Sequence, residues 1–265
     1  MAQCSAERMA AVIKLIVSDF DGTVLPYGQK AVSAAWRSAA SSAMEEGVLF
    51  AISSGRTYGE LVSFLPELRD SAYFICCDGA YTVFRDRILY ARQIPFPELQ
   101  RLLKQEPAFA GCILHGAFAN YALGRVPEAV LSHFAAKPIT NLHLIREPIF
   151  KVTSFGGAET SALPVGIRMH WDGGREAMAQ YVSRFANKGT ALSDLQMRLP
   201  VTRLQTACVG DSGNDVAMMR NAVISVCVGN RSEELAAVCN VPLHSAEESL
   251  ELIRRVNAIL RAEQE

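Results

Sequence analysis

No stretch of this chain approaches the roughly 20 apolar residues that a membrane-spanning helix needs, which leaves no integral membrane segment to read. An excess of charge is missing too: 26 Lys and Arg stand against 27 Asp and Glu, for a formal net charge of -1. That balance provides no electrostatic footprint for nucleic acid or an anionic membrane surface. Paired cysteine spacing is absent. The seven cysteines, Cys4, Cys76, Cys77, Cys112, Cys208, Cys227 and Cys239, are odd in number and contain no C-x-x-C. Most lie in apolar runs such as AYFICCDG and AVISVCVGN. They read as small buried hydrophobes in a reducing cytosol, in preference to a zinc site or a disulfide framework. No cleavable leader is visible, because MAAVIKLIV is short, carries Lys14 and lacks a small-residue cleavage site. The expected location is therefore cytoplasmic. No G-x-G-x-x-G follows the first apolar run and no Walker A sequence occurs, which argues against a dinucleotide-binding dehydrogenase and a P-loop kinase.

What is present is a chain of 265 residues, half of them hydrophobic. That length suits one large α/β domain or a core with an insertion. Residues 12–18 are short, β-branched-rich and nearly all apolar; a strand apolar on both faces belongs in a parallel sheet covered by helices. An alanine-rich helix over Lys30–Glu46 follows, ending at Gly47. Val48–Ser53 is the second buried strand, Thr57–Leu65 a helix stopped by Pro66, and Ala72–Cys77 the third strand. The β-α-β-α-β order predicts the start of a doubly wound fold.

The texture then changes. From Tyr81 to about Arg184 the strands shorten (YTVF, ILYAR, CILHG, FANYAL, FKVTSF, GIRMHW) and prolines and glycines are dense. Two helix candidates, Pro97–Gln105 and Pro127–Ala135, fall among them. This predicts an α+β insertion with an antiparallel sheet. The first texture returns in KGTALSDLQMRL, QTACVG and VISVCVG, followed by helices over Ser232–Val238 and Glu247–Ala262. The expected organisation is a discontinuous Rossmann-like core, residues 1–80 and 185–265, interrupted by an α+β domain at 81–184.

In an open parallel sheet, ligands bind beyond the carboxyl ends of the strands. Four of those ends here carry polar residues: DFDGT, SSGR, CDGA and GDSGND. A lone D-x-D also suits a turn whose aspartates bond their own backbone. Four such ends in one chain are harder to explain as turns, since all should point into one crevice.

DFDGTV, SSGR, NKGTAL and GDSGNDVAMM, in that order, resemble the four signature motifs of the haloacid dehalogenase (HAD) superfamily, and the place of the insertion resembles that of the Cof-type phosphatases with a large α/β (C2-type) cap. The resemblance spans the whole chain and rests chiefly on its first and last motifs. It implies a Rossmann-like α/β core, a mobile cap and Mg²⁺-dependent hydrolysis of phosphate esters through an aspartyl-phosphate. Asp19 is then the nucleophile, a carboxylate that forms an acyl phosphate and divides one hard step into two. Asp21 is the general acid for the leaving oxygen and then the base for water; residues i and i+2 of a strand point the same way, and the resemblance assigns its backbone carbonyl to the metal. Lys188 pairs with the nucleophile and the phosphoryl group, a task that suits a compact point charge; a solvated lysine at a helix start is the other reading. Ser54, Gly55 and Asn214 are phosphate-binding candidates, and Ser54 and Asn214 serve equally as caps or turns. Asp19, Asp21, Asp211 and Asp215 form the metal set, with hard oxygens that match the octahedral preference of Mg²⁺. Asp215 either shares the ion or supports its ligands.

Asp78 stands where Cof-type relatives usually show Asn. It joins Arg56, Arg168 and His170 as candidate leaving-group contacts, each of which is as easily a surface or strand residue. The implied partner is a small-molecule phosphate ester, with no nucleic acid or membrane, acting on a monomer or homodimer. Two alternatives stay open: a HAD-fold phosphomutase, and a catalytically silent binding or regulatory protein. Asp21 disfavours the dehalogenase and P-type ATPase chemistries, which lack this acid.

Overall fold

The computed structural model describes residues 12–104, 111–155, 167–172, 178–229 and 232–263. The fold is α/β. In chain order its first elements are β1 (Leu15–Asp19), α1 (Ala34–Glu45), β2 (Leu49–Ser53), α2 (Tyr58–Phe64) and β3 (Tyr73–Cys76). An insertion follows with β4 (Tyr81–Phe84), β5 (Arg87–Ala91), α3 (Phe96–Leu103), β6 (Gly111–Gly116), β7 (Asn120–Gly124), α4 (Glu128–Phe134), β8 (Lys137–Ile139), β9 (Ile149–Phe155), β10 (Ile167–Asp172) and β11 (Met178–Ser183). The last elements are α5 (Lys188–Arg198), β12 (Thr206–Gly210), α6 (Val216–Met219), β13 (Ile224–Val228), α7 (Glu233–Ala236), β14 (Val241–Leu243) and α8 (Ala246–Ala262).

Capping fixes the helix starts inside the expected ranges. Ser33 Oγ accepts the Trp36 N–H at 3.0 Å, so α1 begins at Ala34 rather than Lys30. Thr57 and Glu60 form a reciprocal capping box that starts α2. α1 ends before Gly47, whose φ of 85° is the left-handed conformation that closes a helix.

The chain divides into two compact units. One comprises Met1–Ser53, Ser71–Tyr73 and Lys188–Glu265; the other Ser54–Asp70 and Phe74–Asn187. In the first, five parallel strands run in the order β14-β13-β12-β1-β2. Leu15, Ile16 and Val17 of β1 are fully buried, as a strand covered on both faces requires. The final helix α8 is tied to this sheet by Asn257, whose side-chain amide accepts the Ile13 N–H at 2.7 Å and donates to the Ile13 carbonyl at 2.9 Å. Arg254 reaches Glu46 at the end of α1, at 2.6 Å.

In the second unit, β4 pairs antiparallel with β3 and β5. A six-stranded sheet runs β10-β11-β9-β6-β7-β8, antiparallel except for β7–β8. Leu99 and Leu102 of α3 pack with Leu114, Val152 and Tyr181 beneath it. The sheet contains two strands that the sequence reading does not anticipate, β8 and β11. Neither has a marked apolar alternation: β11 reads MAQYVS, and it is defined by pairing on both edges, with β10 and β9.

Five of the cysteines, Cys76, Cys77, Cys112, Cys208 and Cys227, are buried free thiols, and Cys239 is partly buried. Cys4 lies outside the described residues. Among the described residues no helix is long and apolar enough to cross a membrane.

Candidate active site

Asp19 is the last residue of β1, and Asp211 follows directly on β12, its parallel neighbour. Both carboxylates therefore leave the sheet at the carboxyl ends of adjacent strands, the position where α/β sheets place ligands. Asp215 closes the 3-10 turn Gly213–Asp215, which leads into α6. One of its oxygens accepts the N–H groups of Asp211 at 3.1 Å and Ser212 at 3.2 Å. The other accepts the Lys188 ammonium at 2.6 Å. Lys188, the first residue of α5, also donates to Asp19 Oδ1. The close approach of Asp215 to β12 requires Gly210: a Cβ there would stand 2.4 Å from the Asp215 carboxylate.

All four charged groups are buried, Lys188 and Asp215 almost completely. Asp19, Asp211 and Asp215 can each present an oxygen within 4.8 Å of the others. Three carboxylates thus face one ammonium. Burial, and then the Asp215 charge, raise the Asp19 pKa well above its usual value, and the same two causes raise Asp211. Asp19 Oδ2 and Asp211 Oδ1 are buried without a hydrogen-bond partner among the described residues. Native structures rarely leave such atoms unmatched. Two orphaned hard oxygens beside surplus negative charge fit a small divalent cation. Both oxygens of Asp215 are engaged by the protein, which suits the supporting role of the two roles open to it.

Asp21 departs from the strand argument. β1 ends at Asp19, and Asp21 is half-buried in the following loop, in an isolated bridge with Leu25. The loop is closed by Gly22 N–H to Leu25 O and Leu25 N–H to Phe20 O, both 2.8 Å. These backbone bonds, rather than the two-residue strand period, set its position.

Ser54, Gly55, Arg56 and Asp78 belong to the second unit. The loop after β2 is laced to the turn after β3: Ser54 N–H bonds Ile75 O at 2.9 Å, Asp78 N–H bonds Ser54 O at 3.0 Å, and Cys77 N–H bonds Arg56 O at 2.9 Å. Cys77 and Asp78 are both left-handed, with φ of 48° and 56°, a conformation that costs a non-glycine residue energy and concentrates at functional sites. The Asp78 carboxylate lies 3.4 Å from where a Gly55 Cβ would stand. Ser54 is buried and its Oγ accepts the Arg56 N–H at 3.1 Å. The Arg56 guanidinium sits 4.9 Å over the Phe64 ring. Asn214 is exposed and its side-chain carbonyl accepts from Ser212 Oγ at 2.7 Å. Arg168 and His170 are in β10, opposite Val182 and Gln180; their side chains lie outside the described residues.

Two residues near these groups escape the sequence reading. Lys151, in β9, is buried and donates to the Gly55 carbonyl at 2.6 Å; its signal was a single charge inside the apolar run IFKVTSF. Tyr27 lies beside Asp211, since a Cβ at Gly22 would stand 2.7 Å from Tyr27 Cε2 and 2.2 Å from Asp211 Oδ2, and nothing in its local pattern marks it.

A strand-end aspartate, a buried lysine and a paired-aspartate turn on a parallel sheet match a phosphoryl-transfer hydrolase of the HAD class. The haloacid dehalogenase-like hydrolase family matches residues 16–116 and 167–249, and the chain belongs to that family, as a phosphatase of Cof type. Phosphatase YwpJ of Bacillus subtilis is 24% identical over 270 residues, covering 86% of this chain and 93% of the relative. The 5-amino-6-(5-phospho-D-ribitylamino)uracil phosphatase YcsE of the same species is 25% identical over 240 residues, covering 86% and 89%. The solved structure of the HAD subclass IIB sugar phosphatase BT4131 superposes with a TM-score of 0.74 at 20% identity, covering 92% of this chain and 98% of that one. The chain is thus a phosphoric monoester hydrolase that acts on small phosphorylated substrates.

Proposed function

We propose that this phosphatase works through an aspartyl-phosphate on Asp19, with Mg²⁺ at the carboxylate cluster. The observation that carries the reading is the pair of orphaned buried oxygens, Asp19 Oδ2 and Asp211 Oδ1, beside an ion-paired Lys188. Asp19 and Asp211 would hold the ion, supported by Asp215, with the Asp21 carbonyl as the family resemblance assigns it. Bound there, the cation would neutralise charge between a carboxylate nucleophile and a phosphate dianion. Asp19 attacks phosphorus and takes the phosphoryl group as the ester oxygen leaves. Asp21 gives that oxygen its proton, then removes one from the water that hydrolyses the acyl phosphate. Lys188, fixed by Asp215, holds Asp19 in its attacking rotamer and offsets charge on the phosphoryl oxygens. Ser54 and Gly55 would hold those oxygens from the loop after β2, and Asn214 from the turn before α6.

The inserted span 81–184 is proposed as the cap that selects the leaving group, with Arg56, Asp78, Arg168 and His170 as candidate contacts. Support for a metabolite monoester comes from the similar proteins, whose names include a 5-amino-6-(5-phospho-D-ribitylamino)uracil phosphatase, a phosphoglycolate phosphatase and a sugar phosphatase. The test is p-nitrophenyl phosphate hydrolysis with Mg²⁺ and with EDTA, followed by a panel of phosphorylated metabolites. Turnover that EDTA abolishes and Mg²⁺ restores is expected. Turnover indifferent to EDTA would remove the metal from the mechanism. Turnover of no ester would move the assignment to the mutase or the silent protein.

A further inference from the structure

Lys151 lies within β9 and is 4% exposed, yet among the described residues its ammonium bonds the Gly55 carbonyl at 2.6 Å and no carboxylate. A buried charge without an opposite charge is costly to enclose, and an apolar side chain of like volume would fill the space more cheaply. Packing alone therefore does not account for a lysine here. Its direction follows from the strand. Val152 packs with Leu99 and Leu102 of α3 on one face of the sheet, so Lys151 projects from the other, where His115 is its cross-strand neighbour. Both ring nitrogens of His115 are engaged elsewhere, by Asn120 and Thr153.

Gly55 stands between two peptide groups, each fixed by different bonds. The Ser54–Gly55 peptide is held at its carbonyl by the Asp78 N–H at 3.0 Å. The Gly55–Arg56 peptide is held at its carbonyl by Lys151 and at its N–H by Ser54 Oγ, which accepts at 3.1 Å. The Ser54 N–H and the Arg56 carbonyl are engaged by Ile75 and Cys77. That leaves the Gly55 N–H as the backbone donor of Ser54–Arg56 with no partner among the described residues. We infer that Lys151 is a positioning residue for this loop: it pins the Gly55–Arg56 peptide so that the Gly55 N–H stays aimed at a phosphoryl oxygen. The inference rests on the reading of Ser54 and Gly55 as phosphate-binding residues. In a trans peptide the N–H points opposite its carbonyl, so Asp78 sets the line of the Gly55 N–H. Glycine turns freely about its own dihedrals, and Lys151 removes that freedom. A donor fixed beforehand needs no reorganisation when the anion arrives. Released, it would bind at the cost of ordering the loop, and a misplacement of about 1 Å can cost about 100-fold.

The test is titration of inorganic phosphate into the full-length protein with MgCl₂ present, followed by calorimetry and by the amide resonance of Gly55 in isotope-labelled samples. In wild type, phosphate should displace that resonance. Lys151→Met should bind phosphate more weakly by about tenfold or more, with a smaller displacement of the Gly55 resonance at saturation. Its melting temperature should not fall, because an apolar side chain replaces a buried charge. Lys151→Gln keeps a neutral donor on a shorter stem; it should show the same two changes, and it carries the test should Lys151→Met not fold. Wild-type affinity in the folded variants would overturn the inference. So would weaker affinity with the full Gly55 displacement, which would make Lys151 a charge contact for the anion, and so would a wild type whose Gly55 amide ignores phosphate. Phosphate held through Gly55 in a protein that hydrolyses no ester would leave this inference standing and remove the proposed catalytic cycle, so the two fail separately.

Discussion

Each unit buries titratable groups in a polar cluster, and the two units settle them in opposite ways. In the six-stranded sheet, His115 is completely enclosed, and both ring nitrogens have partners: Nδ1 with Asn120 Oδ1 at 3.0 Å and Nε2 with Thr153 Oγ1 at 2.8 Å. Burial, and then the charge of Lys151, hold its pKa well below the usual imidazole value, so the ring stays neutral and complete. At the ends of β1 and β12, Asp19 and Asp211 are also buried, but each keeps an oxygen with no protein partner, and three carboxylates share one ammonium. A satisfied buried group serves packing, while an unsatisfied one with surplus charge points to a missing ligand. Burial alone does not separate the two cases. The count of unmet hydrogen bonds and charges does.

The sharpest way to break that contrast is to change one group on each side. Asp19→Asn removes the proposed nucleophile and should lower turnover at least about a thousandfold, while circular dichroism shows a folded protein. Retained activity would mean that the orphaned carboxylate is structural after all. Gly210→Ala comes next. Its Cβ would meet Asp215 at 2.4 Å, so the turn must shift, costing about 1–3 kcal/mol in denaturant unfolding and lowering turnover through displaced Asp215. A variant as stable and active as wild type would show that the turn relaxes freely.

On the other side, Thr153→Val leaves His115 Nε2 without its partner and should cost about 1–3 kcal/mol of stability, with turnover close to wild type. A large loss of turnover at unchanged stability would make the sheet cluster catalytic. The smallest effect is in pH. His115 has a folded pKa below its unfolded value near 6.5, so the unfolded chain binds the proton more readily. Its contribution is fully present above about pH 6.5 and is lost as pH falls toward the folded pKa, at up to about 1.4 kcal/mol per pH unit. Urea unfolding between pH 7.5 and 5, each pH an order-of-magnitude step on that scale, should show this slope, and His115→Gln should flatten it.

Much of this contrast was legible in the chain. DFDGT and GDSGND lie at the tips of two apolar runs, and a parallel sheet brings such tips together whatever their separation in sequence. Lys188 was legible from the motif spacing, and its burial between Asp19 and Asp215 follows from α5 starting at that residue. The loop position of Asp21 was not legible, because β1 stops at Asp19 and the bend comes from the Phe20–Leu25 bonds. Tyr27 was not legible. Its ring meets the Asp211 carboxylate over Gly22, across nearly two hundred positions of sequence, and no local period encodes that. Lys151 could have been suspected, since a lone charge in a buried strand needs a partner, but its partner is a backbone carbonyl, which carries no sequence signal. The strands β8 and β11 escaped for a related reason: short strands with mixed composition are defined by their neighbours.

The most direct measurement traps the acyl phosphate. Wild-type protein turning over p-nitrophenyl phosphate with Mg²⁺ would be quenched in borohydride, which reduces an aspartyl-phosphate to homoserine, and the peptide containing residues 15–19 read by mass spectrometry. Homoserine at position 19, dependent on both substrate and Mg²⁺, is the predicted result. Steady turnover with Asp19 unreduced, or with the reduced residue elsewhere, would contradict the assignment of Asp19 as the nucleophile.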